Sequence, residues 1–443
     1  MIVSCELTLM LDSTIVNVAL PEIREGLGFS PTGLSWVTTA FLLAFGGLLL
    51  LGGRAGDLLG KRKVFLAGMS LFTAASLVGG LAMTAEILVL ARALQGVGAA
   101  LAGPSTLALL VTNFRGVLQA KALGVYSSVT ASAMTLGLVL GGVITTALSW
   151  RWALLINVPI GLVVLFLTPR YVEESAADSG SFDLVGAVAS VAGLTALTFG
   201  LVRAADHGWE DGVPALAVGV VLLIAFVWLE RRVRQPILPL RLFADRTRAA
   251  AFAIMLLVPM VTLSMQFLLV QFLQEVMGFS PLAAGAAFLP MAIGMLVAAQ
   301  YASRLVGRFG AGPVGLGGLA ALAAATGWLT RLSAETGYAD GVFGPVLLTG
   351  VGLGLVIVPF NVVVMTGVDP AESGVASGVL QALNLTGASL GVAILSAVYA
   401  LVKPGAGPQA VAEGMRAAFG AGLGVVAVAT LVVVAFVRKK PRG

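Results

Sequence analysis

Two acids stand in an apolar run near the start of the chain, Glu6 and Asp12, the second within LDSTIVNVALP at 11–21. If that run is a membrane helix, a rise of 1.5 Å per residue puts Asp12 ~15 Å along it, near the middle of a ~30 Å hydrocarbon core. A charged carboxylate there is unfavourable unless water or a partner reaches it. The chemistry open to such a group is proton carriage, neutral where it is dry and ionised where it meets water. The structural alternative is a hydrogen bond that fixes a neighbouring helix. Six residues turn a helix by about 240°, so Glu6 and Asp12 do not share a face, whereas Glu6, Ser13 and Asn17 align within about 20°.

Arg92, in LARALQGVGAA from Leu90, is a further ionisable group expected inside a span. Left unpaired, it would cost about 3 kcal/mol or more. Arg92, Gln95, Gly96 and Ala99 share a helical face that can turn toward a polar cleft; otherwise the guanidinium snorkels to the nearer surface. Glu6 and Arg92 are the expected assistants of Asp12 in a proton-coupling set.

Other chemistries lack their residues. Cys5 is the single cysteine, which excludes an internal disulfide, and His207 the single histidine, which argues against a histidine metal site or a Ser/His/Asp triad. No HExxH or Walker loop occurs. No enzyme activity, metal or cofactor is expected. The loop AADHGWEDG at 204–212 reads as an ordinary solvated connection, or as a pH sensor through His207.

The elements that must position these groups are membrane helices. The chain is 58% hydrophobic and 11% charged, with a mean hydropathy of +1.02, against roughly 25% charged in soluble domains. Charge this sparse cannot cover a soluble protein of 443 residues. The fold class is an all-α integral membrane protein. Fourteen spans are expected, at approximately 2–20, 34–53, 63–82, 87–112, 120–147, 152–168, 184–203, 214–230, 249–274, 282–301, 313–332, 342–367, 374–402 and 416–437. The first run leads into Asp12 rather than a small-residue cleavage site, so no cleaved signal is expected.

Basic residues orient the spans. One set of loops, with the tail, holds 19 of the 26 Lys and Arg, among them Arg54, Lys61, Arg62, Lys63, Arg231, Arg232 and Arg438; the opposite set holds 6. The richer side is cytoplasmic, and an even span count puts both termini there. The net +5 is then mainly a topology signal, and nucleic acid is not an expected partner.

GFSP occurs at Gly28–Pro31 and again at Gly278–Pro281, 250 residues on. Serine before proline suits a helix start. GRAGDLLGKRK from Gly53 and SRLVGRFGAGP from Ser303 echo at the same offset, with Gly60 matching Gly310. The halves are therefore expected to be duplicated six-helix bundles, 1–168 and 249–437. Two extra helices lie in a linker at 169–248, and 438–443 form a basic cytoplasmic tail. In GRAGDLLGKRK the glycines allow a tight turn, and Asp57 beside Lys61, Arg62 and Lys63 can act as a charge lock on one bundle conformation.

LDSTIVNVALP, GRAGDLLGKRK, LARALQGVGAA, WRWALLINVPIG from Trp150 and QPILPLRLF from Gln235 together resemble the major facilitator superfamily. More narrowly, the chain is similar to its fourteen-span drug:proton antiporters. The resemblance implies two six-helix bundles plus two inserted helices. It also implies proton transfer or gating at Arg92, and gating at Gly53, Asp57, Gly60, Lys61 and Arg62. Span 5 departs from the family pattern: LGLVLGG keeps Gly137, Gly141 and Gly142 but holds Leu138 where antiporters carry proline. Gly137, Gly141 and Gly142 are further gating candidates; otherwise they serve helix packing alone, by allowing close approach. Span 13 has Asn384-Leu385 in place of the family's Arg-Gln. The deep polar groups of the C-terminal half are Gln266, Gln271, Gln300, Asn361, Gln381 and Asn384. Of these, Gln266, Gln271, Asn361, Gln381 and Asn384, with Asn17 and Gln95, are candidate substrate contacts; each is otherwise an interhelical hydrogen bond.

The function expected is proton-coupled export of small, mostly apolar compounds by a monomer in a bacterial plasma membrane. Its partners are substrate, protons and the lipid bilayer. The alternative on the same fold is proton-coupled uptake. A receptor or scaffold predicts no flux and needs no buried acid.

Overall fold

The structure is a computed structural model that describes residues 2–30, 32–113, 137, 140–174, 183–233, 240–366, 373–402, 405 and 407–436. Much of the expected span at 120–147 lies outside the described residues, as do Leu138, Pro31, residues 235–239 of QPILPLRLF and the basic tail. All regular structure among the described residues is helical. The fourteen spans expected are not reached among them: twelve helices or helix pairs are long and apolar enough to cross a membrane. The first helix, α1 (Ile2–Leu27), stands outside that set. Its 26 residues would extend ~39 Å, longer than the hydrocarbon core.

The next helices are α2 (Ser35–Leu59), α3 (Lys61–Gly80), α4 (Ala85–Asn113), the short α5 (Trp152–Leu155), α6 (Asn157–Tyr171), α7 (Leu184–His207) and α8 (Trp209–Glu230). They are followed by α9 (Arg246–Gln271), which runs into a wider turn at Phe272–Val276, and by α10 (Pro281–Ala286), α11 (Leu289–Phe309), α12 (Ala311–Leu329), α13 (Tyr338–Gly341), α14 (Phe343–Met365), α15 (Ser373–Val402) and α16 (Pro408–Phe436).

Several expected loops turn out to be helix. GRAGDLLGKRK is not an open turn: α2 continues through Asp57 to Leu59, and only Gly60 breaks it, at φ +101. Ala55 and Leu58–Leu59 are good helix formers, and only a residue without Cβ turns that sharply at no steric cost. Gly310 does the same between α11 and α12, at φ +85. AADHGWEDG shrinks in the same way to Gly208. The two serines of the GFSP copies behave alike. Ser30 Oγ accepts from the Gly33 N–H at 2.9 Å, and Ser280 Oγ from the Ala283 N–H at 3.3 Å. Gly28 and Gly278 share φ values of +69 and +68.

The chain forms two compact units, the first of residues 1–200, 213–238 and 280–286, the second of the remainder. In the first, α4 packs along both α2 and α3, and α6 along α1 and α3. Small residues allow this. A side chain at Gly52 would run into the Ala100 carbonyl, and one at Gly96 into that of Phe41. Phe41, Phe65 and Phe72 fill the interior. In the second unit, α14 packs along α11 and α12, and α9 along α15 and α16. Phe252, Phe267, Phe360 and Phe419 fill its core.

Candidate functional site

Asp12 sits at the centre of a buried polar node in the first unit. Arg92 Nη1 donates to its Oδ2 at 2.5 Å. Gln95 Nε2 donates to its Oδ1 at 3.0 Å, and Asn157 Nδ2 to the same oxygen at 2.7 Å. Arg92 Nη1 also donates to Gln95 Oε1 at 2.9 Å, and Gln95 Nε2 to Ser76 Oγ at 2.7 Å. One carboxylate therefore ties α1 to α4 and α6, and through Gln95 to α3. Asp12 is 0% and Arg92 1% exposed.

Burying an ion pair is tolerable only when the geometry is good and the remaining donors are satisfied. Here Arg92 Nε donates to the Val37 carbonyl of α2 at 2.9 Å, and the guanidinium lies 4.5 Å from the centre of the Phe41 ring. A lysine has neither the fork nor the plane to do this. The pair is buried, and the Arg92 guanidinium faces the Asp12 carboxyl group.

The face of α4 expected to line a polar cleft is instead a packing face. Arg92, Gln95, Gly96 and Ala99 are all buried, and Gly96 abuts the α2 backbone. Small residues drew the helices together, and Arg92 is enclosed between them rather than snorkelling. Glu6 is buried too, but it is not among the groups hydrogen bonded to Asp12. Asn17 accepts from Thr38 Oγ1 at 3.2 Å, a link between α1 and α2.

At the α2–α3 break, Asp57 pairs with Lys61 at 3.8 Å, one turn along the chain. The longer tether is Glu174, beyond the end of α6. Its Oε1 accepts from the Arg62 backbone N–H at 2.9 Å, its Oε2 lies 3.8 Å from Arg62 Nε, and Arg62 Nη1 donates to the Val172 carbonyl at 3.0 Å. Glu174 thus caps the start of α3, where backbone N–H groups lack partners. A side chain at Gly60 would meet it at 2.8 Å. Gly53 lies against Pro104 of α4.

Gly137 and Gly141 lie against Thr14 and Ile15 of α1, and Gly142 against Pro281 and Leu282 of α10. In the second unit the amides behave differently from the interhelical bonds expected. Gln271 Nε2 donates to Phe267 of its own helix at 3.1 Å. Gln266 is buried with Nε2 unpartnered among the described residues. Gln300 is exposed, and Asn361, Gln381 and Asn384 are half-buried. Amides on smooth apolar helices meet few polar neighbours, so spacing alone could not pair them.

Asn157, Ser76 and Glu174 are the site residues that spacing did not single out. Asn157 had a signal, since it is an amide inside the quoted WRWALLINVPIG run. Ser76 and Glu174 had none.

Residues 2–392 match the family model described as Major Facilitator Superfamily. The chain is 37% identical to the "Uncharacterized MFS-type transporter EfpA" of Mycobacterium tuberculosis (strain ATCC 25618 / H37Rv), over 82% of this chain and 69% of that protein. It is 39% identical to the "Puromycin resistance protein pur8" of Streptomyces alboniger, over 81% and 72%. With the "Cephamycin export protein CmcT" of Amycolatopsis lactamdurans it shares 40% identity, over 81% and 76%. Among solved structures, an auto-inhibited POT family peptide transporter superposes with a TM-score of 0.73 at 16% identity, covering 100% of this chain and 98% of that one, a likeness of fold alone. The chain belongs to the major facilitator superfamily of membrane transporters and is not an enzyme.

Proposed function

We propose that this transporter exports small, mostly apolar antibiotic-like compounds from a bacterial cell in exchange for protons, by alternating access, with both termini in the cytoplasm. The observation that carries the coupling is the dry Asp12–Arg92 pair. Hydrogen bonds to a charged group contribute about 1.5–3 kcal/mol each, so the ionised Asp12 holds α1, α4 and α6 together. A proton on Asp12 cancels the charge that Arg92 balances and loosens that junction. One proton moving through 100 mV supplies about 2.3 kcal/mol, comparable to one such bond. Arg92 then serves as the counter-charge, Gln95 and Asn157 as the frame, and Asp57, Lys61, Arg62, Gly53 and Gly60 as the gate at the α2–α3 break. Glu6 is a further acid for protons to visit. Asn17, Gln266, Gln271, Asn361, Gln381 and Asn384 are the amides available to substrate.

Export, rather than uptake, is supported by the relatives called a puromycin resistance protein and a cephamycin export protein. The test uses inverted membrane vesicles energised to be acid inside, with puromycin and a cephamycin as probes. Accumulation that collapses when the pH gradient is dissipated is the expected result. Accumulation only in right-side-out vesicles would make the protein an uptake permease.

A further inference from the structure

Among the described residues, the groups hydrogen bonded to the Asp12 carboxylate are all donors: Arg92 Nη1, Gln95 Nε2 and Asn157 Nδ2. That shell suits an ion. A carboxylic acid has a proton of its own to place and needs an acceptor. Among the described residues, two further buried acceptors have no hydrogen-bond partner, Asn157 Oδ1 and Thr73 Oγ1. They belong to one seam. Thr73 Oγ1 occupies the place that a side chain at Gly161 would take, and Gly161 follows Asn157 by one turn on the same face of α6. Buried polar atoms without partners are rare enough to need a reason.

We propose that Asn157 is a positioning residue for proton loading, an amide that turns over with the charge of Asp12, and that the α3–α6 seam at Thr73 holds an ordered water serving its far end. With Asp12 ionised, Asn157 Nδ2 donates to it, and the seam water donates to Asn157 Oδ1. When a proton arrives from the medium, one O–H bond forms at Asp12. The amide rotates by half a turn, so that its Oδ1 accepts from that O–H while Nδ2 donates to the same water, which in turn donates to Thr73 Oγ1. Water can both donate and accept, and a buried site needs 2–4 polar partners to hold it. Arg92, from α4, is the charged group bonded to Asp12; α2 adds the Val37 carbonyl and the Phe41 ring to Arg92, α3 adds Ser76 through Gln95, and Glu6 of α1 lies on another face.

This inference rests on reading Asp12 as the proton carrier, and infrared spectroscopy on the full-length protein in lipid vesicles separates the two. A carboxylic-acid band that appears on acidification and is lost in Asp12→Asn belongs to Asp12. In the parent protein it should rise together with a change in a side-chain amide band that is lost in Asn157→Leu. Thr73→Val, close in shape but without the hydroxyl, should slow the rise after a pH jump about tenfold, the effect of one hydrogen bond. Thr73→Ser should stay within about twofold of the parent protein. Should Asn157→Leu fail to fold, Thr73→Val tests the idea alone. If the Asp12 band rises in Thr73→Val at the parent rate, the seam plays no part and the inference is overturned. If Asp12→Asn removes no carboxyl band, the functional reading falls first and takes this inference with it.

Discussion

Arg92 Nη1 meets Asp12 Oδ2 at 2.5 Å across 80 residues of sequence, and the side chains of both are shut away from solvent. The pair explains how a carboxylate can stand in the middle of an apolar helix. It is matched by a fixed cation whose Nε and Nη1 donors also bond the Val37 carbonyl and Gln95.

Removing one member of this pair leaves the other charged and buried. Arg92→Gln should lower stability by about 3–5 kcal/mol, read as a large fall in the unfolding midpoint of purified protein. Adding Asp12→Asn to it should restore much of that loss, because the stranded charge is gone. If the double variant is as unstable as the sum of both singles, the pair is not coupled.

Arg92→Lys keeps the charge but cannot also reach the Val37 carbonyl and lie over Phe41. It should fold, yet lose at least about tenfold in pH-driven flux, on the order of one charge-assisted hydrogen bond. Flux equal to the parent protein's would show that charge alone suffices.

At the α2–α3 break, Glu174→Gln should weaken the Arg62 contacts, which are partly exposed, and cost about 1 kcal/mol or less. Asp57→Asn breaks only a local pair and should cost about 0.5 kcal/mol in stability, while cutting transport if Asp57 gates. A transport rate unchanged in Asp57→Asn would remove Asp57 from the gate.

Gly60→Ala and Gly310→Ala separate strain from contact. Both residues have positive φ with extended ψ, a region essentially restricted to glycine, which costs an alanine about 1–3 kcal/mol. Only Gly60 also has Glu174 in the way, with nothing within 4 Å at Gly310. Thermal unfolding should show Gly60→Ala as the more damaged; equal damage would mean that Glu174 gives way freely.

Much of this was legible in the residues. Apolar runs marked the helices, and Asp12 and Arg92 stood out because lipid makes an ion expensive. The GFSP and Gly60/Gly310 echoes anticipated matching turns, since only glycine tolerates those torsions. What spacing could not supply was partners from distant helices. Asn157 lies 145 residues from Asp12, and Glu174 lies 112 from Arg62. Nor could it show that Arg92 faces α2 rather than a cleft. That depends on how closely Gly52 and Gly96 let helices approach, a tertiary effect. Helix ends were misplaced where good helix formers ran on past the apolar stretch, as at Asp57 and His207.

The central claim is that Asp12 carries the coupled proton, and Asp12→Asn in proteoliposomes tests it most directly. Asparagine keeps the size and one acceptor oxygen but cannot titrate. Puromycin flux would be followed with an imposed pH gradient, and again as exchange with no gradient. The account predicts a lowered unfolding midpoint, because Arg92 is left unmatched, with retained exchange and loss of pH-driven flux in the folded protein. Gradient-driven transport with an unchanged pH dependence would contradict it and leave Asp12 as a structural tie between α1, α4 and α6.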